Sequence, residues 1–417
     1  MSRRALPAAD TPLQECGAAF VRLVETLAPR CGGYQARDQA LRLAACVLFR
    51  RLSAHAAPHG VPPDGLGCSI QPAPAGHPLP CLEASAGGVW QAETLSPCAH
   101  CPCRGGVPCE PSAALAAALE RLPLSAPPVG MGRAASPDLG GAALLGAVCE
   151  ALLDAHTDAR YRGHHGVFYT PWPEADLMCR LAVAEYLSSH VEAAARRLLF
   201  SFVLNVDPEE RVRASRELTA AGLLGRVSHL LSRVRVLDPA CGAGVFLCAM
   251  FAVLQELGCR VGIDPGTMRG IARNALFGID RMGWACHATR LSFAVMTGST
   301  DGAAPRLRCA DALLADPKNL FGVDCFDIVL GNPPYVRQEQ IEGGEAPGKP
   351  GGYKTRLASE MRHAFPEAFG ARRARGAGLP PLDGKSDLYL YFYLRGFASL
   401  RHPGVLCFIT PNSWLDA

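Results

Sequence analysis

The sequence is almost without lysine. Only four of its 41 lysine and arginine residues are lysine, and the first of them is Lys318. Glycine and proline are abundant, with 43 and 34 residues. We attribute this bias to the base composition of the genome rather than to function. One consequence is that no part of the chain before Lys318 can use a lysine amine in its chemistry.

Long apolar runs and a secretory leader are also absent from the sequence. No stretch has the roughly 20 apolar residues in succession that a membrane-spanning helix needs. Two arginines near the start have no apolar segment behind them, unlike those of a signal peptide. We therefore predict no membrane association. Several of the 18 cysteines stand in apolar surroundings, which favours reduced core residues in a cytosolic protein over a disulfide framework.

The net charge of +3 neither requires nor excludes nucleic acid, because a local basic patch would be enough to bind it. The chain has 417 residues, which is enough for two or three domains. Residues 1–135 are predicted to be a mainly helical N-terminal region. Residues 138–233 form a second helical region, and residues 234–417 are predicted to form an α/β domain.

Within the first region, residues 57–112 are rich in cysteine, proline and glycine. Thiolates two or three residues apart can converge on one tetrahedral zinc ion, which would order such a segment. Only one CxxC pair is present, so incidental cysteines in a loop remain the alternative. The zinc candidates are Cys81, Cys98, Cys101, Cys103 and Cys109.

The second region carries the loop Gly163–Pro171, followed by a helix predicted from Glu174 to His190. A proline at the start of this helix suits its first turn. His164 and His165 are adjacent, and neighbouring side chains point apart on most backbones. Packing in the loop is therefore favoured over metal binding for this pair.

The segment Arg233–Leu247 predicts a strand, a glycine turn and a helix. Alternating valine and leucine form the strand, and Asp-Pro-Ala-Cys-Gly-Ala-Gly forms the turn after it. This is the opening unit of a doubly wound sheet, whose ligand crevice lies at the carboxyl ends of the strands. The turn has neither the Gly-Lys-Ser/Thr of a Walker A loop nor a GxGxxG fingerprint.

Two later strands each end in a carboxylate. The strand Ala275–Asp280 is followed by an apolar periodic helix, and a carboxylate at this position typically binds ribose hydroxyls. Asp264 is a rival with the same local pattern, but Pro265 and Gly266 behind it predict a turn. A short strand around Leu307 ends at Asp311, which could accept a hydrogen bond from an exocyclic amine.

The run Phe326–Val336 predicts a buried strand that stops at Asn332, Pro333, Pro334 and Tyr335. The two prolines hold the chain extended and donate no backbone N–H. The loop therefore offers an amide oxygen, carbonyl acceptors and one aromatic face. This combination suits a planar group that carries an amine, although a plain proline-rich turn remains the alternative.

After this loop, residues 337–383 form a long insertion rich in glycine, arginine and proline. We interpret it as a loop that either clamps phosphates or only adds solubility. An aromatic helix is predicted after Gly384, capped by Ser386 or Asp387. A further strand, Val405–Ile409, leads into a polar turn.

Between Leu144 and Trp414 the motifs resemble those of gamma-group N6-adenine DNA methyltransferases, in particular the enzymes related to type IIG restriction–modification and phage-defence methylases. The matching motifs, in chain order, are GVFYTP, DPACGAG, FGID, CADAL, LGNPPYV, GKSDLYLYF and GVLCFITPNSW. The resemblance implies a Rossmann-like class I sheet and S-adenosylmethionine as methyl donor. It also implies a bacterial cytoplasmic, nucleoid-associated enzyme acting on double-stranded DNA with the target adenine flipped out.

The resemblance further implies a role for each matching residue. The catalytic loop would be Asn332, Pro333, Pro334 and Tyr335. The cofactor's methionine part would lie near Asp238 and the turn after it, its ribose at Asp280 and its adenine amine at Asp311. The implied cofactor-binding residues are Tyr169, Thr170, Pro171, Asp238, Ala240, Cys241, Gly242, Gly244, Asp280 and Asp311.

Three further expectations follow from this family. Its members complete the sheet with two more strands and add a target-recognition domain, so we expect the chain to lack its last strands and to need a C-terminal or separate specificity polypeptide. The absence of lysine before Lys318 predicts that residues 1–135 are not the lysine-dependent nuclease of type IIG enzymes. Related loops also serve methyltransferases that act on protein glutamine or RNA guanine, and a cofactor-binding remnant is a further alternative.

Overall fold

The computed structural model describes residues 110–121, 145–149, 151–152, 170–205, 207–297, 304–336, 352–366 and 387–411. It also describes residues 15–16, 18–25, 40–41, 44–45 and 48, which are helical, as are 145–149 and 151–152. The strands are β1 Val236–Asp238, β2 Leu276–Asp280, β3 Arg306–Cys309, β4 Phe326–Gly331 and β5 Leu400–Phe408.

Eleven further helices have defined bounds within the described residues. They are α1 Glu110–Glu120, α2 Trp172–Ser188, α3 Arg196–Leu204, α4 Pro208–Ala220, α5 Leu224–Arg233, α6 Val245–Arg260, α7 Pro265–Ala275, α8 Gly283–Thr297, α9 Pro317–Phe321, α10 Tyr353–Ala364 and α11 Leu388–Ser399. A single 3₁₀ turn, Ala193–Ala195, precedes α3.

The five strands form one parallel sheet in the order β3-β2-β1-β4-β5. β1 is central, pairing Val236 with both Leu276 of β2 and Ile328 of β4. The chain order reverses at β1, and such a switch point opens a crevice at the carboxyl ends of the strands. The predicted Rossmann-like α/β fold is therefore confirmed.

Alternate residues of the central strands enter two different apolar layers. Val236, Leu276 and Ile328 pack with helices α2 to α7 on one face. Leu237, Phe277 and Val329 pack with α9, α10 and α11 on the other face. This period of two is that of strands buried on both faces, which explains why the sequence has continuous apolar runs there.

The described N-terminal residues pack against the sheet domain through α8. Phe20, Leu41, Leu115 and Leu145 share one apolar cluster with Trp284 and other residues of α8. The helical character predicted for these segments is therefore present in the part that the structure describes. No helix in that part is long and apolar enough to cross a membrane.

A charged network anchors α2, the helix that begins at Trp172. Arg180 donates to Asp176 at 2.8 Å and to Glu256 of α6 at 2.7 Å. Arg260 of α6 donates to the carbonyl of Phe202 at 2.7 Å, and its guanidinium lies 4.1 Å from that ring's centroid. These contacts join the middle of α2, and α3 after it, to α6.

Two expectations about local structure are wrong. Pro265 and Gly266 begin helix α7 rather than form a turn, because Asp264 caps the helix by accepting from the Thr267 N–H at 2.9 Å. The insertion at residues 337–383 is not wholly a loop, because residues 353–364 form α10. Leu357 and Met361 of α10 are fully buried, so this helix packs on the domain.

Candidate active site

Four functional candidates lie at the carboxyl ends of neighbouring strands. Asp238 ends β1, Asp280 ends β2, Asp311 follows β3, and Asn332 follows β4. Because all these strands are parallel, their ends meet at one edge of the sheet. The structure thus brings together residues that the sequence separates by up to about a hundred positions.

The Asn332 side chain is held from two sides. Its Nδ2 donates to Thr170 Oγ1 at 3.0 Å, and its Oδ1 accepts a hydrogen bond from the Tyr335 hydroxyl. Thr170 is itself buried. The loop before α2 and the loop after β4, which were identified separately in the sequence, therefore form one arrangement that fixes the orientation of the amide.

Tyr335 belongs to a series of aromatic rings. Its ring centroid lies 6.4 Å from that of Tyr389 of α11, with the planes nearly perpendicular. Tyr389 in turn packs edge-on against Tyr393, and Tyr393 against Phe408 of β5. Burial raises the pKa of Tyr335, so its hydroxyl stays protonated and able to donate at physiological pH.

Asp238 is a buried carboxylate with one satisfied oxygen. Its Oδ1 accepts from the Ala240 N–H at 3.1 Å, whereas Oδ2 has no hydrogen-bond partner among the described residues. Only 1% of the residue is exposed. Burial raises the pKa of Asp238 to about 8, opposed by the Ala240 N–H and reinforced by the nearby charge of Asp280.

The backbone of Gly331 approaches Asp238 closely. A Cβ added at Gly331 would lie 2.6 Å from Asp238 Oδ1, and the φ angle of +152° also disfavours other residues. The end of β4 and the carboxylate of β1 are therefore packed without room for a side chain between them.

The turn after β1 is held by its neighbours. The Cys241 N–H donates to the Ile279 carbonyl at 2.9 Å, and the Gly244 N–H donates to the Cys241 carbonyl at 2.8 Å. Thr289 of α8 donates to the Gly242 carbonyl at 3.1 Å and would lie 2.6 Å from a Cβ at Gly244, whose φ is +88°. Nothing in the sequence pattern indicated this role of Thr289.

Asp280 is bound to the same turn. Its Oδ2 accepts from the Gly242 N–H at 2.9 Å, and its Oδ1 accepts from the Met282 N–H at 2.8 Å. Burial raises the pKa of Asp280 although both N–H groups oppose it. The rival Asp264 is exposed and caps α7, so Asp280 is the one of the two that lies at the strand end.

Asp311 is joined by two residues that the sequence analysis missed. Arg281 Nε lies 3.4 Å from Asp311 Oδ2, and the Arg281 guanidinium lies 4.7 Å from the ring centroid of Tyr353. Burial, and then the charge of Asp311, raise the pKa of Tyr353. The only available signal was the position of Arg281 directly after Asp280.

The remaining candidates are placed as follows. Pro171 is the exposed N-cap residue of α2, Pro333 is buried and Pro334 is half-buried. Asp387 occupies the N-cap position of α11. No group of three or more His, Cys, Asp or Glu side chains is placed to hold a metal ion in the described part of the chain. Tyr169, the two histidines and the five zinc candidates lie outside the described residues.

The donors and acceptors at this edge fit a ligand such as S-adenosylmethionine. Asp238 Oδ2 is a buried acceptor in need of a partner, which a cationic or N–H-bearing group would supply. The turn after β1 has glycine at two positions with positive φ, Gly242 and Gly244, so no side chain projects from them. Asp280 and Asp311 add carboxylate acceptors suited to hydroxyl and amine groups.

Two family models match the chain. Residues 213–313 match the model described as the MmeI DNA-methyltransferase domain, and residues 378–417 match the Eco57I restriction-modification methylase. The predicted resemblance to restriction–modification methylases is confirmed. The first match contains β1 to β3 with the glycine turn, and the second contains α11 and β5. The Asn332–Tyr335 loop lies between the two matched segments.

Solved structures of such enzymes are similar in part. The type IIL restriction-modification enzyme MmeI in complex with DNA is 15% identical, with 93% of this chain and 48% of that chain covered and a TM-score of 0.46. The type IIG restriction endonuclease BpuSI is 14% identical, with coverages of 95% and 34% and a TM-score of 0.45. The chain thus spans about half the length of MmeI and about a third of BpuSI.

A class I S-adenosylmethionine-dependent methyltransferase from Listeria monocytogenes is 13% identical, with coverages of 98% and 76% and a TM-score of 0.36. No curated protein sequence matches the chain.

Proposed function

We propose that this chain transfers a methyl group from S-adenosylmethionine to N6 of adenine in DNA. The observation that carries the proposal is the fixed Thr170–Asn332–Tyr335 arrangement, which lies at the same sheet edge as the half-satisfied Asp238. It combines an amide acceptor and an aromatic face with a buried acceptor for a cationic ligand. Those are the two halves of a methyl-transfer site for a planar amine.

DNA is the proposed substrate because both matched family models describe restriction–modification or DNA methylases. Adenine is proposed because its exocyclic amine suits the acceptors of the loop. The target base would have to leave the duplex to reach Asn332, and the Tyr335 ring would stack on it. The biological setting that we propose is restriction–modification or phage defence in the bacterial cytoplasm.

The cofactor would be held by the strand-end residues. Its methionine part would lie at Asp238 and the turn Cys241–Gly244, its ribose at Asp280 and its adenine amine at Asp311. When bound, S-adenosylmethionine supplies a methyl group already activated by a positively charged sulfur. Positioning of the acceptor can therefore provide most of the rate enhancement, and no strong base is needed.

Asn332 and Pro333 would prepare the acceptor nitrogen. The lone pair of adenine N6 is delocalised into the ring, which makes it a poor nucleophile. Asn332 Oδ1 has two lone pairs, so it can accept from the adenine amine in addition to Tyr335. With the Pro333 carbonyl as a second acceptor, both N6 protons are drawn out and the lone pair becomes available. N6 would gain the methyl group as the methyl–sulfur bond breaks and leaves S-adenosylhomocysteine, and one N6 proton would pass to water.

The proposal is tested by incubating the protein with tritiated S-adenosylmethionine and DNA from a strain without DNA methylation, and then identifying the labelled nucleoside. We expect label in N6-methyladenine. Asn332→Ala should lower it by about 100-fold or more, as when one preorganised polar contact to a reacting group is removed. Tyr335→Phe keeps the ring but loses the hydroxyl that orients Asn332, so it should lower the activity by about tenfold, less than Asn332→Ala does.

Asn205→Ala is the matched control, because the Asn205 side chain lies at the C-terminus of α3, where it donates to Ser201 Oγ at 2.9 Å. Label found only in RNA or only in protein would contradict the proposal and would mean that the methyl acceptor is guanine or glutamine rather than adenine. Cofactor binding without any transfer would mean that the chain acts only with a further specificity polypeptide, so the proposed activity would not belong to this chain alone.

A further inference from the structure

Helix α10 presents one stripe of side chains to the domain. Tyr353, Leu357 and Met361 are spaced by four residues, which places them on one face of the helix. Leu357 and Met361 are fully buried in the same apolar layer as Phe277 and Phe321. Tyr353 is at the first turn of the stripe and is partly buried against that layer.

The far end of α10 is fixed by a buried arginine. Arg395 of α11 donates to the Leu313 carbonyl at 2.7 Å and to Glu360 at 3.4 Å. Its guanidinium also lies 5.3 Å from the ring centroid of Phe365. These contacts join α10 to the segment directly after Asp311, so the position of Tyr353 beside Asp311 is set by packing over the whole helix.

Three groups of different chemistry meet at the first turn of α10. Asp311 Oδ1 accepts from the Leu313 N–H at 2.9 Å, whereas the buried Oδ2 makes no hydrogen bond within the described residues. Arg281 Nε is 3.4 Å from that oxygen, and the Arg281 guanidinium is 4.7 Å from the Tyr353 centroid. A carboxylate oxygen able to accept thus lies beside an aromatic ring and a planar cation.

We propose that Tyr353 and Arg281 complete, with Asp311, the binding site for the adenine of the cofactor. Asp311 Oδ2 accepts from the exocyclic amine, and the Tyr353 ring and the Arg281 guanidinium cover a face of the base. This inference rests on the proposed function. It gives α10, which lies within the insertion after the catalytic loop, a role in cofactor binding.

Arg281 follows Asp280 directly in the chain, so ribose and base would be bound by neighbouring positions. α10 comes shortly after the Asn332–Tyr335 loop in the chain. Helix α10 would therefore contribute to the cofactor site through its buried face, whichever function its exposed residues Arg356 and Arg362 serve.

The test uses calorimetry of S-adenosylhomocysteine binding to the full chain. Tyr353→Ala should weaken binding by about tenfold, the effect of removing one stacking partner from a base. Tyr353→Phe keeps the ring and should bind within about twofold of the wild type, because stacking on the face is retained. Arg281→Met should weaken binding by a smaller factor, about threefold, as expected for a cation over a ring.

Arg308→Met is the matched control for Arg281→Met. The Arg308 guanidinium also lies over an aromatic ring, 5.5 Å from the centroid of Phe321, but does not contact Asp311. A ligand with hypoxanthine in place of adenine lacks the exocyclic amine. It therefore separates recognition of that amine by Asp311 from stacking on the ring of Tyr353. Asp311→Asn should remove the preference for adenine, whereas Tyr353→Ala should weaken both ligands equally and leave the preference unchanged.

Two results would overturn the inference while the proposed function stands. In the first, the wild type binds S-adenosylhomocysteine and Tyr353→Ala binds it with the same affinity. In the second, Tyr353→Ala loses affinity but also has a lowered unfolding temperature without ligand, while Arg281→Met keeps the wild-type affinity. The ring would then only hold α10 in place. Failure of the folded wild type to bind the ligand would overturn the proposed function itself, and this inference with it.

Discussion

Two buried aspartates lie at opposite ends of the same sheet. Asp327, near the start of β4, is 5% exposed, and both of its oxygens are bonded: Oδ1 accepts from Arg401 at 2.8 Å, and Oδ2 accepts from the Arg235 N–H at 2.8 Å. Asp238, at the end of β1, is 1% exposed and has one oxygen without a partner among the described residues.

We propose that the difference separates a carboxylate that stabilises the fold from one that binds a ligand. A buried charge is tolerated when its hydrogen bonds are made, and it is costly when they are not. Asp327 therefore stabilises the fold, because its bond to Arg401 joins β5 to β4. Asp238 lacks such a set of partners, so burial raises its pKa to about 8 and its charged form costs stability, a perturbation that is common at functional sites.

The largest expected effect is on cofactor affinity. Asp238→Asn should weaken binding of S-adenosylmethionine by about 100-fold, because a hydrogen bond or ion pair to a charged group contributes about 1.5–3 kcal/mol. Asp327→Asn should leave the affinity unchanged. Equilibrium dialysis with labelled cofactor measures both. Equal affinities for the two variants would remove the distinction between the two ends of the sheet.

The second effect concerns stability. Asp327→Asn should lower the free energy of unfolding by about 2 kcal/mol, a value reduced from that of a fully buried pair because the Arg401 side chain is 44% exposed. Asp238→Asn should not lower it. Urea unfolding of the ligand-free proteins gives both values. A larger loss in Asp238→Asn would mean that Asp238 is the structural residue.

The third effect is on the pH dependence of stability. The pKa of Asp238 is raised by burial from its unfolded value of 3.8 to about 8. The folded state therefore binds more protons between these values, and the stability from this group falls as pH rises. Relative to Asp238→Asn, the wild type should lose about 1.4 kcal/mol for each pH unit between about pH 5 and pH 7.

Urea unfolding of both proteins over this pH range measures the loss. Asp280 titrates in both proteins, so the difference between them reports Asp238 together with its coupling to Asp280. Parallel curves for the two proteins would show that Asp238 keeps an ordinary pKa in the folded state.

The smallest effect comes from two glycines. Gly331→Ala would place a methyl group 2.6 Å from Asp238 Oδ1. Gly222→Ala is the comparison, because the φ of Gly222 is +69° and nothing lies within 4 Å of a Cβ added there. Both variants should lose about 1 kcal/mol of stability for their backbone conformation. Only Gly331→Ala should also weaken cofactor binding, by about tenfold, because Asp238 must shift. Equal affinities would show that Asp238 has room to move.

The sequence predicted the strands well, because strands buried on both faces leave continuous apolar runs such as Asp327–Leu330 with β-branched residues. It also predicted that Asp280 ends its strand, whereas β3 ends at Cys309, two residues before the predicted Asp311. Asp264 and Asp280 have the same local sequence pattern, and the turn predicted at Pro265 and Gly266 is wrong. A proline directly after a capping aspartate starts a helix there rather than a turn.

Other features depend on tertiary packing and could not be predicted. The spacing of Tyr353, Leu357 and Met361 is helical, but these residues lie in a segment whose glycine, arginine and proline content predicts a loop. The contact between Thr170 and Asn332 joins two motifs through the packing of α2 on the sheet. Whether Asp238 or Asp327 lacks a partner depends on which groups surround each one in three dimensions, and no local pattern records that.

The most direct test of the distinction between the two aspartates is calorimetry of S-adenosylmethionine binding near pH 7, repeated in buffers of different ionisation enthalpy. Because Asp238 is mostly protonated at that pH with a pKa of about 8, we predict that binding of the cationic ligand releases close to one proton per site. The release should disappear in Asp238→Asn and persist in Asp327→Asn. Folded wild type that binds no cofactor, or that binds it with the same proton exchange in Asp238→Asn, would contradict the account.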